Sequence, residues 1–127
     1  MGEGAMRERV FKTAWFSKAA RKSRITDEEL CLAISQVMLG QADDLGGGVY
    51  KKRLGRNLYR SIILAKAPQY WVYSFLFAKQ DRANISSSEL GDFRKLAAAL
   101  ARKTDADVEM DLRAHILVEI CHGEEEV

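Results

Sequence analysis

The chain has 127 residues, 47% hydrophobic and 30% charged, which suits one soluble globular domain, 1–127, with enough chain to bury a core. Its 20 basic and 18 acidic residues nearly balance, and no apolar run approaches the ~20 residues of a membrane span. Two cysteines are too few for a disulfide framework, and two histidines near the C-terminus offer no zinc-binding cluster.

The N-terminal MGEGAMRER has no apolar core like that of a signal peptide, and residues 1–8 read as a leader without fixed structure. Val10, Phe11 and Lys12 suggest a short edge strand. Thr13 can cap a short helix through Trp15, Phe16, Ala19 and Ala20. The polar side of that helix carries Lys18, Arg21 and Lys22, and with Arg24 these form a basic cluster, read as a solvated face. Thr26 and Glu29 have the spacing of a capping box, in which hydroxyl and carboxylate satisfy helix N–H groups reciprocally. Leu30, Ile34, Val37 and Met38 then recur at helical spacing, and Gly40 suits the helix end. Asp43 and Asp44 read as a solvated turn. Gly46-Gly47-Gly48 is not a P-loop, because no Gly-Lys-Ser/Thr follows, and reads as a flexible entry to a sheet. Cys31 and Cys121, each in an apolar context, are expected as buried free thiols in a reducing cytoplasm.

The centre of the chain differs from its surroundings. Residues 45–79 hold seven cations (Lys51, Lys52, Arg53, Arg56, Arg60, Lys66 and Lys79) and no acid, so thirteen bases elsewhere face all eighteen acids. The same stretch reads as three strands, 49–54, 58–66 and 70–79, joined at Gly55-Arg56-Asn57 and Ala67-Pro68-Gln69 into an antiparallel meander. Alternation puts Val49, Lys51 and Arg53 on one face and Tyr50, Lys52 and Leu54 on the other. It groups Arg60 with Leu58, Ile62 and Leu64, and Lys79 with Tyr73, Phe75 and Phe77, so that both cations should be partly desolvated near strand ends. At strand spacing Trp71, Tyr73, Phe75 and Phe77 belong to the core rather than to a stacking platform. Lys66 reads as solvated.

Beyond the meander, Ser86 or Ser87 can start a helix, and Glu89 stands at capping-box distance from Ser86. Leu90, Phe93, Leu96, Ala97 and Leu100 would form its buried stripe. Thr104 and Asp105 end that helix or cap the next element, residues 115–121 read as a last strand, and 122–127 as a solvated acidic tail. The expected fold is α+β: N-terminal helices packed on an antiparallel β-meander, followed by a C-terminal helix. A basic, aromatic-rich sheet suits a polyanion, RNA first among them.

Three pieces in this order, Gly46-Gly47-Gly48-Val49-Tyr50-Lys51-Lys52-Arg53, Leu58-Tyr59-Arg60-Ser61 and Phe77-Ala78-Lys79-Gln80-Asp81-Arg82-Ala83-Asn84-Ile85, resemble the RelE/ParE toxin superfamily, closest to its RelE- and HigB-like members. The resemblance runs over most of the chain. It implies a RelE-like domain that cuts mRNA, usually in the ribosomal A site, and is held inactive by a cognate antitoxin, expected to be a helix-turn-helix protein. It implies RNA contacts at Lys51, Lys52 and Arg53, with Arg56 and Asn84 beside them. A transition-state-stabilising arginine maps to Arg60, and the basic turn maps to Lys79 and Arg82. Lys52 joins Arg60, Lys79 and Arg82 in the expected catalytic set. The chain carries Gln80 where many relatives have arginine, and Ser86 where some have tyrosine, so the resemblance assigns no general base or acid. A ParE-like gyrase inhibitor and an inactive binding module of the same fold are the alternatives.

The residues fit such chemistry. RNA supplies its own nucleophile, the 2′-OH, so cleavage needs in-line geometry, charge neutralisation at phosphorus and help with two proton transfers. The basic stretch contains no histidine, which leaves lysines whose pKa is lowered by cationic neighbours and by burial. No metal or cofactor is called for.

Overall fold

The computed structural model describes residues 8–66 and 69–122. The expected leader and acidic tail lie almost wholly outside the described residues, as do Ala67 and Pro68 of the second hairpin. The elements run β1 (Arg9–Thr13), α1 (Ala14–Lys22), α2 (Asp27–Met38), β2 (Asp43–Gly46), β3 (Val49–Leu54), β4 (Tyr59–Lys66), β5 (Tyr70–Ala78), α3 (Ser87–Ala101), α4 (Asp105–Arg113) and β6 (Leu117–Ile120). This is the expected α+β class, with one six-stranded sheet in the order β2-β3-β4-β5-β1-β6.

Four helices cover the sheet on both faces. On one, Phe16 and Ala20 of α1 and Leu30, Ala33, Ile34 and Val37 of α2 pack on Leu54, Ile63, Trp71 and Tyr73. On the other, Ala97 and Leu100 of α3 and Val108 of α4 pack on Phe11, Val49, Ile62, Leu64 and Val72. Each helix begins at a hydroxyl cap. Thr13, Thr26, Ser86 and Thr104 accept from the backbone N–H of Phe16, Glu29, Glu89 and Asp107.

The fold corrects several sequence expectations. The first strand is not an edge: β1 runs parallel to β5 and antiparallel to β6, and Phe11 is fully buried because both faces are covered. Asp43 and Asp44 do not sit in a turn but pair across β2–β3 with Lys51 and Tyr50. The glycine run is the tight turn joining these strands. Gly48 has φ +84°, and a Cβ there would lie 2.9 Å from the Ala65 carbonyl oxygen. Leu96 is exposed rather than core, because the stripe facing the sheet runs through Leu90, Phe93, Ala97 and Leu100. The Glu29 backbone N–H stays in the Thr26 cap, but its carboxylate does not close the expected capping box and instead accepts from the Gly55 N–H at 2.5 Å, tying α2 to the β3–β4 hairpin.

A bulge in β5 changes which aromatic residues share a face. Ile62 pairs with Phe75 and Ile63 with Tyr73, so Ser74 is the extra residue. Tyr73 therefore enters the α1–α2 core, where its hydroxyl donates to the Leu30 carbonyl at 2.7 Å, while Phe75 and Phe77 face α3.

The cysteines are not free. Cys31 and Cys121 form a disulfide with Cα atoms 5.4 Å apart. Ile120 and Cys121 would alternate across a continuing strand, but Cys121 adopts φ +67°, and both residues pack against the α1–α2 core beside Cys31. The bridge joins α2 to the end of the last strand.

Candidate nucleic-acid interface

The sheet register builds the site. Lys51 lies opposite Ile62, Arg53 opposite Arg60, and Arg60 opposite Phe77. Lys51, Arg53, Arg60 and Phe77 therefore share the face that α3 covers. Arg53 is exposed and Arg60 half-buried, so this end of the face stays open.

Two like charges directly opposite on neighbouring strands repel. Arg60 is held in place by its own hairpin, since Nη1 donates to the carbonyls of Asn57 and Tyr59, each at 3.1 Å. Its Nε and Nη2 make no hydrogen bond, and the guanidinium no ion pair, with any described residue. Gly55, Arg56 and Asn57 all have positive φ, which closes the loop that supplies the Asn57 carbonyl.

The turn after β5 brings in the other cations. The Arg82 guanidinium lies over the Phe77 ring, 5.5 Å from its centroid, and forms a two-pronged ion pair with Glu89. Its Nε donates to the Asn84 carbonyl at 3.1 Å. The Asn84 side-chain oxygen in turn accepts from Lys51 Nζ at 3.3 Å. Lys51, Asn84, Arg82, Phe77, Arg60 and Arg53 thus form one continuous series. Glu89 also accepts from the Ser86 N–H at 2.7 Å, completing the α3 capping box. The Arg82 hydrogen bonds, then the Ser86 backbone N–H, hold its carboxyl down at about 2.

Other expected site residues stand apart. Lys52 faces the α2 side, where Nζ donates to the Gln41 carbonyl at 2.8 Å. Burial, then the Arg53 charge, lowers its pKa, the direction expected for the lysine cluster. Lys79 is exposed rather than partly desolvated: it stands one residue past the end of β5, where its backbone N–H still donates to the Leu58 carbonyl at 2.9 Å, and it borders a small cavity with Leu58, Tyr59 and Gln80. Arg56 is exposed at the hairpin tip, on the α2 side, beside Glu29 and Leu32. The sequence reading missed Asp43, 3.7 Å from Lys51, and Glu89 as the partner of Arg82. Glu89 was visible only as a capping residue; its second role depends on the turn folding back over Phe77. Among the described residues no three His, Cys, Asp or Glu side chains converge to hold a metal ion, and no helix is long and apolar enough to cross a membrane.

A comparison with curated protein sequences gives no match. Residues 8–120 match the family described as RelE toxin of the RelE/RelB toxin–antitoxin system, and the match spans β1 to β6, the whole sheet and all four helices. The chain belongs to the RelE toxin family, whose members are the toxin half of a pair with a cognate antitoxin.

Proposed function

We propose that this toxin is an endoribonuclease that cuts mRNA, with the ribosomal A site supplying the substrate geometry, and that a helix-turn-helix antitoxin holds it inactive. The observation that carries the reading is the Arg53–Arg60 pair, two arginines in direct cross-strand register on an open sheet face. A phosphate between or above them converts repulsion into attraction.

In this reading the 2′-oxygen bonds to the adjacent phosphorus, the bond from phosphorus to the 5′-oxygen breaks, and one proton leaves the 2′-OH while another reaches the departing 5′-oxygen. Arg60 and Arg82 stabilise the extra negative charge, at ~10²–10³-fold each for a correctly placed donor. Arg53, Lys51 and Asn84 grip the strand, with Arg56 and Lys79 as flanking contacts. Lys52 has the lowered pKa that a base needs but faces the other side of the sheet, whereas Lys51, on the Arg60 face, is held by Asp43 and Asn84, so no proton acceptor is assigned.

The test is induced expression with mapping of mRNA 5′ ends. Growth arrest with new ends inside translated mRNA is expected, and Arg60→Ala combined with Arg82→Ala should abolish both. DNA damage without mRNA cleavage would transfer the assignment to a gyrase inhibitor. Salt-sensitive RNA binding without toxicity would leave a binding module.

A further inference from the structure

The basic cluster on α1 lies outside the site described above. Residues 10–26 contain five cations and no acid. Lys12 is paired with Asp27 at 2.7 Å, but Lys18, Arg21, Lys22 and Arg24 pair with no carboxylate among the described residues. Lys18 and Lys22 line a cavity of about 300 Å³ together with Trp15, Ala19, Ser23 and Leu76. That volume is at the lower end of what small-ligand sites offer.

Trp15 is the unusual member. It is 52% exposed, whereas the chain's other tryptophan, Trp71, is buried. One ring face is stacked on Phe75, with centroids 5.1 Å apart and planes 28° from parallel. Phe75 is 5.9 Å from Phe77, the ring that carries Arg82 and stands opposite Arg60. The β5 bulge makes this junction possible. It turns Phe75 toward α3 and Leu76 toward α1, so Trp15 touches the basic face through one and the cavity through the other. An exposed indole fixed by its neighbour, two ring-to-ring steps from the Arg60 row and flanked by unpaired lysines, combines the parts of a single-strand stacking platform.

We propose that Trp15, Lys18 and Lys22 form a second RNA subsite, which takes an unpaired nucleotide of the same strand that lies across Arg53 and Arg60. The base stacks on Trp15, and the lysines hold its phosphates. This rests on the RNA reading of the basic face and adds to it a contact away from the scissile phosphate.

The experiment uses the intact chain and single-stranded 2′-O-methyl oligoribonucleotides, which lack the nucleophile and stay uncut. Tryptophan emission is followed as RNA lengths of two to ten nucleotides are added. Long oligonucleotides should quench wild-type emission, and Trp15→Phe, which keeps a ring on Phe75, should remove the quenching. Trp15→Ala should weaken binding of long RNA by roughly 5- to 100-fold while leaving the shortest unaffected. Lys18→Ala with Lys22→Ala should lower the salt dependence by about 1.4 in log–log slope. Circular dichroism establishes that each variant is folded. The inference falls if Trp15→Ala binds long RNA like wild type while Arg53→Ala and Arg60→Ala bind it weakly. It also falls if the Trp15 and lysine variants lose only antitoxin binding, which would make this face a protein contact. Failure of wild type to bind any RNA would overturn the RNA reading of both sites together.

Discussion

Reducing the Cys31–Cys121 bridge is the sharpest test of the fold. The two cysteines are 90 residues apart, so the bond closes most of the chain into a loop. In the chain-entropy description, cross-linking at that separation removes unfolded-state freedom worth about 4–5 kcal/mol at 25 °C. For a domain of this size that corresponds to roughly 15–20 °C in melting temperature. The native state keeps its helix caps and both cores without the bond, so the reduced protein should still fold, at lower stability. The assay is thermal unfolding with and without reductant, for wild type and for Cys31→Ala with Cys121→Ala. Wild type should melt lower when reduced, close to the double variant, and reductant should leave the variant unchanged. Two free thiols in unreduced, denatured wild type, or a melt indifferent to reductant, would refute the reasoning.

Tyr73→Phe removes a buried hydroxyl that donates to the Leu30 carbonyl, and chemical denaturation should show a loss of about 1 kcal/mol. Gly48→Ala forces a side chain into a left-handed backbone position against the Ala65 carbonyl and should cost about 1–3 kcal/mol by the same measurement. The Glu89 carboxyl, held near 2 in the folded chain against an ordinary 4.5, contributes stability that is fully present above 4.5 and lost as pH falls toward 2. Glu89→Gln should therefore flatten the acid limb of the stability profile in that window, and a carboxyl NMR titration with a midpoint near 4.5 would refute the pairing with Arg82.

Much of this protein was legible without coordinates because the relevant signals are local. A hydroxyl three residues before a backbone N–H makes a cap wherever it occurs, and Thr13, Thr26, Ser86 and Thr104 are all caps. Period-two alternation in 49–54 put Lys51 and Arg53 on one face and Lys52 on the other, as the register has it. The same alternation failed in β5, because a bulge adds a residue without any mark in composition and moves Tyr73 away from Phe75. The acidic pair Asp43-Asp44 gave no strand signal, since a short edge strand need bury little and is held by its partner's backbone.

The site divides in the same way. Local sequence determined that a cation-rich, acid-free stretch would form a β-meander, and that Arg60 would stand near a strand end. Only tertiary structure decided that Arg53 faces Arg60, that the turn after β5 folds Arg82 over Phe77 onto Glu89, and that Trp15 meets Phe75. It also decided that two cysteines 90 residues apart become partners. The physical reason is separation along the chain. Caps and alternation depend on neighbours a few residues away, whereas register, crossover and bridging join segments that come together only when both faces of the sheet are buried.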